Sequence, residues 1–166
     1  MAPHLDSVYS LARYLCRDAS TAEDIAQDAL LKAYAAFDGY HGGSPKAWLL
    51  AIVRNAYVDW TRRTRGWRAM TSRSESLDGA AELADEHTPD AEATLIARGD
   101  VQALRGAIEA LAEPFREAVV LRDLEGLTYQ QIAHVTGTPV GTVMSRLARG
   151  RRALLERLRP AEGGLA

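Results

Sequence analysis

The stretch Leu124-Glu125-Gly126-Leu127-Thr128-Tyr129-Gln130-Gln131-Ile132-Ala133, followed by Gly137-Thr138-Pro139-Val140-Gly141-Thr142-Val143-Met144-Ser145-Arg146-Leu147, decides the fold. Thr128 with Gln131 three residues later is a capping box, and it starts a short helix through Val135. Gly137 turns the chain. Thr138-Pro139 then opens a last helix that reaches Leu158, before Pro160. Helix, tight turn, helix is the spacing of a helix-turn-helix, in which the first helix braces and the second lies in the major groove. On the second helix Thr142, Ser145, Arg146 and Arg149 oppose the apolar Val143 and Leu147, and Arg152 extends the stripe. Arginine can make two hydrogen bonds to a guanine edge, and Thr or Ser can reach base or phosphate. Gly141 keeps the helix start slim, leaving its free N–H groups open to a phosphate. A helical hairpin packed on another protein would share the turn and caps; the arginine stripe is what favours DNA.

Working outward, the rest of the chain also reads as helices, with no alternating run long enough for a strand. Leu5 to Arg17 is one helix. Ser20 with Glu23 caps a second, which runs to about Asp38 on the apolar stripe Ile25, Ala29, Ala33 and Phe37. Gly39 to Gly43 is a loop. Ser44 and Pro45 open a third helix that buries Leu49, Ile52, Val53, Ala56 and Trp60, with Gly66 as its stop. Thr88-Pro89 opens a helix to about Ala112 on Leu95, Val101, Leu104, Ile108 and Leu111, and Pro114 opens the next, ending at Gly126. The expected architecture is all-α: a helical domain over 1–65, a flexible acidic linker over 66–97, a helix-turn-helix domain over 98–160 and a tail over 161–166.

The formal net charge of the 166 residues is −2, which argues against nucleic acid until it is divided along the chain. Residues 1–73 carry 10 Lys+Arg against 7 Asp+Glu, residues 74–113 carry 2 against 10, and residues 114–166 carry 8 against 5. Two basic blocks thus flank an acidic one. Lys46 to Arg73 holds seven cations against Asp59 alone, and Arg146 to Arg159 holds six arginines against Glu156 alone. Such clusters are the footprint of a phosphate-binding surface, although charge alone fits solvated helix faces equally well. A 47% apolar, 25% charged composition excludes a disordered tail. No apolar run spans a membrane and no secretory signal opens the chain. The lone Cys16 suits a reducing cytosol and reads as a small core residue. His4, His41, His87 and His134 lack metal spacing, and no phosphate loop or nucleophile elbow is present. The expectation is a protein that is not an enzyme, with no catalytic residues, metal or cofactor.

The stretch quoted first resembles the C-terminal domain of bacterial sigma factors, most closely the extracytoplasmic-function (ECF) group of the sigma-70 family. Leu111-Ala112-Glu113-Pro114-Phe115-Arg116 is similar to the entry into that domain. Met144 stands where many members carry Lys. Independently, Ala22-Glu23-Asp24-Ile25-Ala26-Gln27-Asp28-Ala29-Leu30-Leu31-Lys32-Ala33-Tyr34 is similar to the family's polymerase-binding helix, and Lys46 to Asn55 to its promoter-melting helix. The family's usual further helical segment is not seen before Leu5 in this sequence, and the resemblance then leads to the expectation that Tyr9, Leu11 and Leu15 carry more of the core.

The resemblance implies a sigma factor that docks on core RNA polymerase through Asp24, Gln27, Asp28, Leu31 and Lys32. It implies upstream promoter readout by Thr142, Ser145, Arg146, Arg149 and Arg152. Melting of the downstream element falls to Tyr40, His41, Lys46, Trp48, Arg54, Asn55, Arg62 and Arg63. A melted strand needs aromatic faces for stacking, amides for base edges and arginines for phosphates. Trp48 fits that role and a core position equally well. The acidic linker fits either a nucleic-acid mimic in the polymerase channel or a soluble spacer. The implied partners are core RNA polymerase, promoter DNA and an anti-sigma factor, for a protein monomeric when free, cytoplasmic and not inserted in membrane. Two other readings stay open on the residues: a stand-alone helix-turn-helix regulator, and a sigma mimic that sequesters an anti-sigma factor. The negative total charge further predicts that the free protein holds DNA poorly and needs polymerase to position both domains.

Overall fold

A computed structural model describes residues 2–71 and 92–159, and the side chains of 3–70 and 99–159. Among them there is no strand. Seven helices follow one another: α1 (Leu5–Cys16), α2 (Ala19–Ala35), α3 (Pro45–Thr71), α4 (Glu92–Glu109), α5 (Glu113–Val119), α6 (Tyr129–Thr136) and α7 (Val140–Leu158). Short 3-10 turns cover Ala2–His4 and Phe37–Gly39, and a π-helical turn, Val120–Leu124, continues α5.

In the first half α1, α2 and α3 pack on one another around Leu11, Leu15, Ile25, Ala29, Leu49, Leu50 and Val53. The cap of α2 is Asp18 rather than Ser20: its backbone is extended, and its carboxylate accepts the Thr21 N–H at 2.8 Å. The Thr21 side chain first, and its backbone N–H second, lower the carboxyl's pKa. Ser20 falls inside the first turn. Phe37 follows the four-residue stripe of α2, but the 3-10 turn rotates it outward, and it is exposed. Leu11 and Leu15 are buried as expected, whereas Tyr9 is exposed. Gly66 does not stop α3, which continues to Thr71. A glycine costs a long helix only about 1 kcal/mol relative to Ala. The expected linker is therefore helical at both ends, over 66–71 and 92–97. The rest of it, and the predicted helix start at Thr88-Pro89, lie outside the described residues, as does the tail beyond Arg159.

In the second half α5, α6 and α7 enclose Val119, Val120, Leu121, Ile132, Val143 and Leu147; α4 adds Ile108, and the turn after it adds Leu111. Val101 and Leu104 stay exposed on α4, and Leu158 on α7. Helices α5 and α7 cross closely at Gly150, where a Cβ would stand 2.7 Å from Val119 Cγ2 and 3.3 Å from the Phe115 carbonyl. The π turn closes with Glu125 N–H donating to the Val120 carbonyl, and Gly126 at φ +72° redirects the chain. The Thr128–Gln131 capping box forms in both directions, at 3.2 and 2.9 Å. Gly137, at φ +65°, ends α6 in the left-handed conformation that favours glycine.

The halves do not stay apart. α6 lies on α3, and α5 lies on α1. Their buried side chains merge into one cluster.

Candidate nucleic-acid interface

Helix α7 is seated by Val143, Leu147 and Gly150, all buried. Helical periodicity turns the opposite face outward. Ser145, Arg149 and Arg152 are exposed on that face, beside Gly141 and the exposed Met144. Thr142 and Arg146 stand at its edge and are half-buried. Arg151, which the sequence reading did not single out, grips Asp123 with two hydrogen bonds of 2.6 and 3.0 Å and ties α7 to the π turn. Pro139 precedes the helix without a side-chain cap. An uncapped helix start leaves N–H donors for a phosphate.

The predicted melting residues divide over two faces of α3. Tyr40 and Trp48 contact each other with ring centroids 5.1 Å apart. The Tyr40 hydroxyl donates to the Gly43 carbonyl at 2.9 Å, across a loop in which Gly42 and Gly43 sit at φ +99° and +96°. Only glycine takes two such conformations in succession without strain. His41 is exposed in this loop, and Asn55 is exposed on the Trp48 side, seven residues along the helix. Trp48 also faces a cavity shared with Gly42, Gly43, Thr128, Gln131 and His134, between the loop and α6.

Lys46 and Arg54 point the other way, into the second half. Lys46 Nζ lies 3.1 Å from Glu125 Oε2 and donates to the Glu125 carbonyl at 2.7 Å. Arg54 Nε donates to Glu117 Oε1 at 3.0 Å, and the Tyr57 hydroxyl to Glu113 Oε2 at 2.9 Å. Burial and the Glu113 carboxylate push the Tyr57 pKa up to about 12, so the phenol remains a donor. Glu117 is itself buried; desolvation raises its pKa even though Arg54 opposes the shift. Between α1 and α5 the fully buried Arg116 donates to the Leu15 carbonyl at 3.2 Å and to the Leu111 carbonyl at 2.7 Å. Arg13 stands 3.7 Å from Glu109. Arg62 and Arg63 lie away from all of these. They line a cleft with Asp28, Lys32 and Asp59.

That cleft belongs to the face predicted for polymerase. Asp24, Gln27, Leu31 and Lys32 are exposed on α2, and Asp28 is half-buried. Lys32 bridges Asp28 at 2.9 Å and Asp59 at 3.2 Å, and the two carboxylates, Asp28 first, raise its pKa. Tyr34, one turn beyond Leu31, is 80% exposed; both are large side chains left in solvent. The sequence reading passed over Tyr34, although its i+3 spacing from Leu31 marks the same face.

The Sigma-70 region 2 family matches residues 1–68, and the Sigma-70, region 4 family matches residues 101–154. The RNA polymerase sigma-H factor of Pseudomonas aeruginosa is 36% identical over 149 residues, spanning 86% of this chain and 76% of that protein. The chain belongs to the ECF group of the sigma-70 family. Region 2 is thus α1–α3, and region 4 is carried by the helices from α4 to α7. Another ECF member, sigma factor SigE of Mycolicibacterium smegmatis, is 36% identical over 158 residues, and the chain spans 58% of its length. Among solved structures, the sigma factor RpoE from Bartonella quintana, in complex with the anti-sigma factor NepR, matches with a TM-score of 0.76 at 29% identity. It covers 96% of this chain and 94% of its own. Among the described residues no group of His, Cys, Asp and Glu could hold a metal ion, and no helix is long and apolar enough to cross a membrane.

Proposed function

We propose that this protein is an ECF-type RNA polymerase sigma factor that directs promoter-specific initiation. Region 2, with a boundary near residue 65, recruits core polymerase through Asp24, Gln27, Asp28, Leu31, Lys32 and the cleft they border. The loop from Tyr40 and the exposed face of α3, with His41, Trp48 and Asn55, hold the melted downstream strand. Lys46 and Arg54 supply cations for its phosphates. Arg62 and Arg63 stand beside the polymerase face and follow the strand toward it. Region 4, from about residue 98, reads the upstream element with Ser145, Arg149 and Arg152, flanked by Thr142 and Arg146. The observation that carries this reading is the presence of both regions in one chain, with the arginine stripe of α7 facing solvent. The protein contributes no bond-making step, because polymerisation belongs to its partner, and it works in the cytoplasm. An anti-sigma factor is a further partner, by analogy with the RpoE relative solved with one.

Run-off transcription with purified core polymerase tests the reading. Promoter-specific product above core alone is expected, and its absence on every promoter of the source genome refutes it. A stand-alone regulator would instead shift duplex DNA without polymerase.

A further inference from the structure

The stripe assigned to promoter DNA on α7 leaves one flank of that helix unused. Val140, Met144 and Ala148 follow one another four residues apart, so they line up along a single strip. Val140 keeps 38% of its surface and Met144 53%, and Ala148 is exposed beside them. The opposite flank holds Thr142 and Arg146, with Gly141 and Ser145 between the two. The outward face of α7 is thus apolar on one side and cationic on the other. Arg151, farther along the apolar side, is turned onto Asp123 by hydrogen bonds of 2.6 and 3.0 Å, so its charge is neutralised locally. A single exposed apolar side chain needs no explanation, but an aligned strip bordering a binding face does.

From this two-sided face we propose that Met144, backed by Val140, selects thymine in the upstream element by packing on its 5-methyl group. The inference deepens the sigma-factor reading and rests on it for the identity of the duplex. The thymine methyl is the apolar landmark of the major groove, and apolar side chains are what contact it. Val140 and Met144 sit in the first two turns of α7, the part of such a helix that meets base edges. Gly141 and Ala148 carry little or no side chain beside them, so the backbone can come close and the thioether can reach the groove floor. Methionine has three rotatable bonds and only a weak sulfur acceptor, so it can cover one methyl or bridge two neighbouring ones. A lysine at the same place would bring a charge and three donors, suited to a guanine edge or a phosphate. Met144 therefore sets the base preference of the apolar flank, as Arg149 does for the polar one.

The test uses holoenzyme reconstituted with core polymerase and a promoter duplex that it transcribes. Each thymine of the upstream element is replaced in turn by deoxyuracil, which lacks the 5-methyl group and keeps every hydrogen-bonding atom. Competition binding gives the affinity ratio of the two duplexes. At one thymine, or two adjacent ones, the wild type is expected to lose about fourfold, the worth of one buried methyl-sized group. Met144→Ala is expected to bind the thymine duplex as weakly as the wild type binds the deoxyuracil one, with its own ratio near one. Met144→Leu, which still covers the methyl, and Arg149→Ala both keep the ratio. Met144 is exposed, so these changes spare the core of region 4, and circular dichroism checks the fold. A wild type indifferent to deoxyuracil at every position overturns the proposal, as does an element without an A·T pair. So does a Met144→Ala holoenzyme that keeps the full ratio; poor assembly on core polymerase with that ratio unchanged would make the strip a protein-docking face. If no promoter is transcribed, the sigma-factor reading fails, and the same series is run on a duplex that the free protein selects from a randomised pool. A methyl penalty there, lost in Met144→Ala, upholds the methyl readout without the sigma role, and a chain that selects no duplex overturns both.

Discussion

Helices α3 and α7 both carry arginines that sequence assigns to DNA, and the protein treats them oppositely. On α7, Arg149 and Arg152 face solvent. On α3, Arg54 and Lys46 are folded into pairs with Glu117 and Glu125. A basic residue at the right helical position is therefore not yet a free cation; its availability depends on what the rest of the chain places against it. The sharpest way to break the contrast is at Arg54. Arg54→Ala leaves the Glu117 carboxylate buried and unpaired. That should weaken docking of the halves by about 3 kcal/mol, the low end for a broken buried pair, because Arg54 keeps 28% of its side chain exposed. Glu117→Gln keeps an acceptor for Arg54 and removes the cost of burying a charge, so it should change docking by less than about 1 kcal/mol. Spin labels on α2 and α7, read as the ratio of closed to open distances, compare the two variants. Equal effects would mean that the pair does not hold the interface.

On α7 the expected losses need no opening step. Arg149→Ala should cost about 1–3 kcal/mol of discrimination at one base pair of the upstream element. If Arg152 meets a phosphate, Arg152→Ala should weaken all sequences alike and lower the salt slope by about one. Competition binding by the polymerase holoenzyme on promoter variants measures both. Arg149→Ala should add to Glu117→Gln within about 0.5 kcal/mol, as distant, independent sites do. Strong non-additivity would tie the recognition face to the Arg54–Glu117 pair.

The contrast also marks what a sequence reveals. Everything that forms α6 and α7 is local: Thr128, Gln131 and Gly137 act within a turn of the residues they constrain, and each behaves as read. Errors appear where two local signals compete. Asp18 and Ser20 are both good caps, and the extended backbone at Asp18 settles the choice. Gly66 resembles a stop, but one glycine costs a helix as long as α3 too little to end it. Of the predicted α7 stripe, Ser145, Arg149 and Arg152 are exposed, while Thr142 and Arg146, on the side nearer the buried Val143 and Leu147, are half-buried. The Arg54–Glu117 and Lys46–Glu125 pairs are invisible in the sequence for a different reason. Glu117 lies 63 residues from Arg54, and Glu125 lies 79 from Lys46. In sequence both are ordinary helix acids, and only the packing of α5 and α6 on the first half brings them to α3.

Gly150→Ala attacks the seat of α7 without touching a charge. The added methyl meets the stiff Val119 side chain and the Phe115 carbonyl. Overpacking of this kind costs about 1–3 kcal/mol, and the better helix propensity of Ala returns up to about 1. A net loss of about 1 kcal/mol is expected in urea unfolding, relieved when Val119→Ala is added. No relief would place the strain in the backbone at Phe115 rather than at the side chain.

The smallest effect separates an attractive pair from a tolerated one. Glu117 has its pKa raised in the closed protein, chiefly because it is desolvated and also because Glu113 is near; Arg54 and Arg146 pull the other way without winning. The closed form therefore binds this proton more tightly than an open form with an ordinary glutamate. By linkage the contribution of Glu117 to closure is fully present below the ordinary glutamate pKa. It fades as pH rises through the raised value. Acidifying into that window should tighten the docking of the halves, although simple salt-bridge reasoning would have it loosen. The response is carried by one proton and should vanish in Glu117→Gln. Label distances recorded against pH in both proteins check it. A wild type that opens on mild acidification, with the variant unchanged, would make the Arg54–Glu117 pair a net attraction and overturn the idea that desolvation dominates at this site.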